Sequence, residues 1–486
     1  MYDKSHLALL TDFYELTMGR GYFHSGLRDK IAYFDVFFRR NPDGGGYSIV
    51  CGIEQIAAYI KNLRFDESDI DYLRSKGIFD EEFFDYLRTF RFTGDVWAIP
   101  EGSVIFPGEP ILTVRAPVIE AQLVETYCLL TINHQSLVAT KASRIVYAAD
   151  GRPVSEFGSR RAHGEDAAVM GARAAYIGGC ASTACALSDK LFGVPAGGTM
   201  AHSWVQMFDN EYDAFTAYIK QYPDNPTLLV DTYSVLKSGI PAAIRAIKDH
   251  LWPLGRKKCA IRIDSGDVTY LTVKARKMLD EAGLTDCKIF ISNSLDEYLI
   301  AEMLRQGAVI DGFGVGERLI TAKSDPVFGG VYKLAAVENE DGTIIPKIKV
   351  SENVDKITNP HVKELYRFYD NETGKAEADL ITLADETLPD GEPIEIVDPE
   401  HTWKRKVMKD YTLRRLRVQI FKDGEQVYEF PPLREMRDHC ARELATMWDS
   451  VRRFENPHVY YVDLSQKLWD LKQRMLSETQ RRASEE

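Results

Sequence analysis

The sequence predicts an α/β protein. An irregular (β/α) barrel-like parallel-sheet domain over 131–345 follows an N-terminal α+β domain over 1–130 and precedes a C-terminal mixed α+β region over 346–486. Three observations carry that expectation. From Pro153 onward, short apolar or small-residue runs alternate with helical periodicity, the pattern of successive β–α units on a parallel sheet. Polar residues stand at or near the ends of these strand candidates, the edge where barrels and open α/β sheets bind ligands. Upstream of Pro153, turn-rich β segments and helices are grouped rather than alternating.

Taken in order, residues 5–25 read as a helix with a break, aromatic and apolar groups recurring at helical spacing from Asp12 to Met18. Residues 31–40 read as a strand, 41–46 as a turn and 47–51 as a second strand, which makes a hairpin available. Helices follow around 53–63, 67–76 and 80–89. Residues 92–116 return to β character, and 119–148 look helical. The repeating units then begin. Strands are expected at 153–157, 196–203, 227–231, 259–264, 288–292 and 309–316, with a short unit over 179–192. Helices are expected at 166–176, 205–222, 235–250, 269–283 and 296–306. Six or seven such units suffice to close or nearly close a barrel. Residues 330–350 read as β, 351–430 as mixed and turn-rich, and 434–451 and 464–476 as amphipathic helices, with a charged tail that frays after Ser477.

Composition narrows the function. With 45% hydrophobic and 27% charged residues, the chain is ordinary for a soluble globular protein. A net charge of −13 argues against a general nucleic-acid binder, which needs a basic footprint, but leaves room for a local basic pocket. Seven scattered cysteines without a CxxC pair indicate a reduced protein, not a disulfide framework or structural zinc site. The start lacks a basic leader region and no apolar run has transmembrane length, so the cytoplasm and no membrane partner are expected.

Candidate site residues gather along one expected edge. In Gly197-Gly198-Thr199-Met200-Ala201-His202-Ser203-Trp204, the glycines let the backbone pass close to a ligand. His202 at the rim can carry a proton, a metal or a covalent group. Arg160 and Arg161 follow the first strand, Asp231 ends the 227–231 strand, and Arg262 and Asp264 sit on the next. Ser292 and Asn293, then Gly314 and Gly316, close the series. The Gly316-Glu317-Arg318 turn can cradle a phosphate on backbone N–H groups. Arginine suits a carboxylate or phosphate because its planar fork binds bidentately. Tyr14 and Phe157 can sandwich a flat ring. A flat aromatic acid plus a sugar phosphate fits this inventory.

Five ordered segments make the likeness specific. They are Thr11-Asp12-Phe13-Tyr14-Glu15-Leu16-Thr17-Met18, Glu156-Phe157-Gly158-Ser159-Arg160-Arg161, Gly198-Thr199-Met200-Ala201-His202-Ser203, Arg262-Ile263-Asp264-Ser265-Gly266-Asp267 and Gly329-Gly330-Val331-Tyr332-Lys333-Leu334. In these the chain resembles the nicotinate phosphoribosyltransferases, their bacterial members above all. The resemblance implies a type II phosphoribosyltransferase-like fold and a ligase-class reaction in NAD biosynthesis by salvage. Nicotinate and 5-phosphoribosyl 1-pyrophosphate would give nicotinate mononucleotide and pyrophosphate, coupled to ATP hydrolysis. It implies phosphorylation of His202 by ATP, with Asp231 the candidate acceptor for a ring nitrogen. It places nicotinate between Tyr14 and Phe157, near Thr199 and Arg262, and the ribosyl phosphate on the Ser292-Asn293 and Gly316-Glu317 turns. Asp264 would face the positive charge developing on the ribose. Mg²⁺ would bridge phosphate oxygens largely through waters, with no metal site of protein ligands alone. Members are commonly homodimers with shared sites, so Tyr14 would act across the interface. Two features depart from the pattern. Glu317 stands where a small or hydroxylic residue is usual, so its carboxylate points away or the cradle is rearranged. The Gly179-Cys180-Ala181-Ser182-Thr183 stretch is looser than the usual form. Rival readings are the nicotinamide-using relative, disfavoured by Ser182-Thr183 where an Asp would be expected, the shorter quinolinate enzyme, and an inactive relative.

Overall fold

The computed structural model describes residues 7–351, 356–388, 391–398 and 405–485. The chain divides into two compact units, Met1–Leu137 with Val327–Glu486, and Val138–Pro326. The first unit is discontinuous because both chain ends build one seven-stranded sheet. Its order is Ile344–Pro346, Val331–Glu338, Ile31–Phe37, Leu112–Pro117, Asp95–Ala98, Val418–Lys422 and Glu425–Gln426. The 1–130 and 346–486 segments are therefore not separate domains here. Val418–Lys422 pairs antiparallel with Asp95–Ala98, a pairing that local sequence pattern cannot announce. The hairpin that 31–40 and 47–51 made available does not form. Both edges of Ile31–Phe37 are taken, by Leu112–Pro117 and by Val331–Glu338. Ser48–Ile49 pairs instead with Val104–Ile105.

A second sheet in this unit runs Arg405–Met408, Ile394–Val397, Val462–Leu464, Ala376–Leu383, Lys363–Asp370 and Tyr411–Arg415. Phe368, Ala378, Leu380, Ile396, Met408 and Tyr411 form a buried cluster on it. Helices of the N-terminal part begin where the caps dictate. Asp66 and Asp69 form a reciprocal capping box for Glu67–Ser75, and Asp80 accepts from the Phe83 N–H to start Glu81–Arg88. The last helix, Gln466–Glu485, continues through the charged tail expected to fray.

The central unit carries six parallel strands in the order Ser182–Thr183, Val154–Glu156, Gly312–Val315, Lys288–Asn293, Ala260–Ile263 and Thr227–Leu229. That is the cyclic order of a (β/α) barrel with one seam unpaired, between Ser182–Thr183 and Thr227–Leu229. The strand expected at 196–203 would have closed it. Only a single bridge forms, Thr183 to Ala196, after which the chain leaves the sheet and enters the short helix His202–Gln206. Pro195 has no N–H to donate, and Gly197 and Gly198 pack no side chain, so a regular strand is disfavoured there. The helix expected at 205–222 is split into His202–Gln206 and Glu211–Gln221, and the other expected strands and helices form within a few residues of their expected bounds. The 235–250 helix runs as wide turns, Val235–Gly239 and Ile247–Leu251, around Ile240–Ala246. Gly239 is obligatory in it: an added Cβ would lie 1.9 Å from the Val230 carbonyl oxygen.

Candidate active site at the carboxyl edge of the parallel sheet

Strand alternation sets the first residue of the site. On Ala260–Ile263, Ile261 and Ile263 are buried in the core, and Arg262 between them faces the other way. Its Nη1 donates to Thr199 Oγ1 at 2.6 Å and its Nη2 to the Met200 carbonyl at 2.8 Å. Arg262 therefore pins the irregular segment that crosses the open seam. Its Nε is buried and has no partner. Burial lowers its pKa, Asp264 and Asp231 oppose that, and Arg160 adds to it. The guanidinium stays charged regardless.

The next strand ends converge on this arginine. Asp231 Oδ2 accepts from the Asp264 N–H at 3.0 Å and from Ser265 Oγ at 2.7 Å, while its Oδ1 is buried without a partner. Ser292 Oγ donates to Asp264 Oδ1. His202 Nε2 lies 4.0 Å from Asp264 Oδ2, and its Nδ1 lies 3.1 Å from Thr232 Oγ1. The acceptor expected at Asp231 is thus displaced by one residue. Asp231 is drawn to the donors of the 264–265 turn, and the Thr232 hydroxyl takes its place beside the imidazole. Thr232 was not singled out in the sequence, although it sits in the same Asp-Thr-Tyr-Ser strand end.

Around this cluster lie the remaining candidates of the unit. The Phe157 N–H donates to the Val315 carbonyl at 2.7 Å, and its ring packs over Gly314, where a Cβ would come within 2.5 Å of it. Asn293 Oδ1 accepts from the Ser294 N–H, so its side chain stiffens its own turn. Gly316 precedes the four-residue helix Glu317–Ile320. The Glu317 carboxylate meets Lys323 Nζ at 2.7 Å, which holds its pKa below the usual range, and Arg318 pairs with Asp296. Arg160 and Arg161 are exposed on the short turn Ser159–Arg161. Sequence reasoning also passed over Glu156, which lies in one of the quoted segments. It is buried and accepts from Thr183 Oγ1 at 2.7 Å and from the Gly158 N–H. Burial pushes its carboxyl up.

His202, Thr199, Arg262, Asp231, Asp264 and Ser292 are thereby brought into one connected set. Tyr14 is not among them, because it belongs to the first unit. There it is exposed on Phe13–His24 and hydrogen-bonded to Glu125, with burial and that carboxylate raising its pKa. In the same unit, burial, Arg39 and Lys349 lower the pKa of Lys333, and Glu125 opposes them. Among the described residues there is no group of three or more His, Cys, Asp or Glu able to hold a metal, and no helix long and apolar enough to cross a membrane.

Comparison with known proteins places the chain. A model of the nicotinate phosphoribosyltransferase N-terminal domain matches residues 9–133, and one of the C-terminal domain matches 362–472. The nicotinate phosphoribosyltransferase of Bacillus subtilis is 41% identical over 483 residues, 99% of this chain and 97% of that one. A Mycobacterium tuberculosis nicotinate phosphoribosyltransferase is 44% identical over 389 residues, 80% of each chain. The crystal structure of human nicotinic acid phosphoribosyltransferase superposes with a TM-score of 0.82 at 28% identity, covering 96% of this chain and 100% of that one.

Proposed function

The chain belongs to the nicotinate phosphoribosyltransferase family, and on that premise we propose that it joins nicotinate to 5-phosphoribosyl 1-pyrophosphate, coupled to ATP hydrolysis through a phosphohistidine. The observation that carries the reading is Arg262, a half-buried cation with a buried, unpartnered Nε–H, set beside the His202–Asp264 pair. The nicotinate carboxylate is the anion this arginine receives, by a charge-assisted hydrogen bond. The Phe157 ring supplies an apolar face for the pyridine. The pyridine nitrogen attacks the anomeric carbon as its bond to pyrophosphate breaks, and Asp264 steadies the positive charge that develops on the ribose. The ribosyl phosphate takes backbone N–H groups of the Ser292-Asn293 and Gly316-Glu317 turns. Because Lys323 engages the Glu317 carboxylate, that residue offers the phosphate its N–H.

His202 takes the γ-phosphate of ATP. With the Nδ1–H kept on the ring and donated in a hydrogen bond to Thr232 Oγ1, the Nε2 lone pair attacks phosphorus, a P–N bond forms and ADP leaves. The phosphorylated ring favours the product-forming state and orders the pyrophosphate site. Asp231 and Asp264 fit a Mg²⁺ ion held largely through water and phosphate oxygens, since Asp231 Oδ1 is an orphaned acceptor. Held there, such an ion would supply positive charge against the departing pyrophosphate. The product feeds NAD biosynthesis by salvage in the cytoplasm, and two chains form a homodimer in which Tyr14 of the partner subunit completes the ring slot.

A turnover assay with nicotinate, nicotinamide and quinolinate, with and without ATP, tests this. Nicotinate alone is expected to react, faster with ATP, and γ-labelled ATP is expected to label the protein at His202. In His202→Ala the label disappears and slow, uncoupled synthesis remains. Equal turnover of nicotinamide, or undiminished labelling of His202→Ala, sinks the reading.

A further inference from the structure

The edge of the parallel sheet opposite the site holds a thiol pair that the reaction does not use. Cys259 and Cys287 immediately precede the strands Ala260–Ile263 and Lys288–Asn293. Those strands are adjacent and parallel, with Ala260 in register with Lys288, so the two cysteines are in register as well. The Lys288 N–H donates to the Cys259 carbonyl at 3.0 Å and fixes that alignment. Residues in register on neighbouring strands point the same way, about 4.8 Å apart at Cα, inside the window a disulfide can span. The thiols are in hydrogen-bonding reach of each other.

Their surroundings differ from those of the other cysteines. Cys51, Cys128, Cys180 and Cys440 are buried, and burial pushes the Cys128 and Cys440 thiols up. The hydrogen bond from Cys287 instead brings the Cys259 thiol down, against its burial, and Arg276 adds to that effect. The Arg276 guanidinium lies at hand because it donates to the Cys287 and Leu284 carbonyls. Both thiols are nearly closed to bulk solvent, yet they line a cavity of 260 Å³ together with Trp252, Lys257, Gly283 and Asp286. A cavity of that size holds a molecule as small as hydrogen peroxide. Thiolate character, access and a neighbouring resolving thiol are what an oxidisable cysteine needs.

We propose that Cys259 and Cys287 form a redox-modifiable dithiol, closed to a disulfide by hydrogen peroxide and reopened by a thiol reductant. The Cys259 thiolate attacks a peroxide oxygen. The S–O bond forms as the O–O bond breaks, giving a sulfenic acid, and the departing hydroxide leaves as water with the proton Cys259 released. The Cys287 sulfur then attacks the Cys259 sulfur, the S–S bond forms, and the S–O oxygen leaves as a second water with the Cys287 proton. Two thiols lose two electrons and one peroxide gains them. The cross-link joins the amino ends of the two strands whose carboxyl ends carry Arg262 and Ser292.

The test is native treatment with hydrogen peroxide, alkylation of the remaining thiols under denaturing conditions, and peptide mapping without reductant. A peptide pair joined through Cys259 and Cys287, lighter by two hydrogens and separated by dithiothreitol, is expected, with the other five cysteines alkylated. In Cys287→Ser, Cys259 is expected to be trapped as a sulfenic acid by a 1,3-dione probe, and in Cys259→Ser no linked peptide forms. Melting curves establish that both variants are folded under the treatment. Alkylation of both cysteines in the treated wild type overturns the proposal. So does oxidation confined to Cys185, the partly exposed thiol, or a link that appears only under unfolding conditions.

Discussion

Arg262 spends both Nη groups on the segment that carries His202, so a single side chain couples the proposed anion site to the histidine proposed to accept the phosphoryl group. Removing one partner of a buried, hydrogen-bonded charge pair costs about 2–5 kcal/mol. Arg262→Ala is therefore expected to lower kcat/KM for nicotinate by about 30-fold or more. Steady-state kinetics varying each substrate in turn decide the assignment. A loss confined to the KM of the sugar-phosphate substrate would move Arg262 to that ligand. Residue identity was legible in the sequence here, because a buried-strand position occupied by arginine and a strand end occupied by aspartate are visible as types. Partners were not. Whether Asp231 or Thr232 meets His202 turns on where the 264–265 N–H and hydroxyl donors lie, and those come from another strand.

Glu15 gives a pH test at the same scale. It lies in the segment that contains Tyr14, is fully buried, and accepts from the Thr11 and Thr126 hydroxyls. Burial raises its pKa from 4.5 to about 7, with both hydroxyl hydrogen bonds opposing. Between those values the folded chain holds a proton that the unfolded chain has lost. Stability from this group is full below pH 4.5, falls as pH rises toward 7, and is flat above. Glu120, also raised to about 7 by burial, adds the same sign in the same window. Melting temperature measured across that window is expected to decline in the wild type and to decline less in Glu15→Gln. An equal slope in the two proteins would show that Glu15 stays ionised.

At the scale of elements, the open seam is the feature that most shapes the site. A regular strand at 196–203 would carry Thr199 and His202 up with the sheet. The Pro195-Ala196-Gly197-Gly198 run breaks it after one bridge, and the freed backbone is then fastened by Arg262. Short apolar runs alternating with helical periodicity made the true strands legible, and helices such as Glu67–Ser75 formed where they were expected. The seam was misread because a strand and a glycine-rich extended segment look alike over eight residues. Glycine also positions Phe157. An alanine at 314 places its Cβ 2.5 Å from Phe157 Cδ2, so the ring must move. Gly314→Ala is expected to cost about 1–3 kcal/mol of stability, as overpacking does. Nicotinate KM is expected to rise about tenfold, the equivalent of about 1.4 kcal/mol. An unchanged KM with a lowered melting temperature would remove Phe157 from the ring slot.

At the scale of the whole molecule, the chain order misleads where the two ends build one unit. Local periodicity cannot show that Val418–Lys422 pairs with Asp95–Ala98, some three hundred residues upstream. The ordered segments led us to assign Tyr14 and His202 to one proposed function, although they lie in different units of the chain. Tyr14 is 44% exposed on Phe13–His24, too open for a core ring and suited to a ligand or a second chain. Stacking on a pyridine needs the ring, whereas the hydroxyl is engaged by Glu125. Tyr14→Phe is therefore expected to change nicotinate KM little, and Tyr14→Ala to raise it severely. If each site takes its tyrosine from the partner subunit, Tyr14→Ala and His202→Ala chains are each nearly inactive alone. Refolded together, they form hybrid dimers in which one site of two is whole, and up to about half the hybrid's sites regain ATP-coupled turnover. Recovery that rises with mixing and vanishes when chain exchange is blocked would establish the shared site. No recovery, with normal hybrid formation, would place Tyr14 and His202 in the same chain's site. Normal nicotinate affinity in Tyr14→Ala with a lowered melting temperature would return the residue to a structural role.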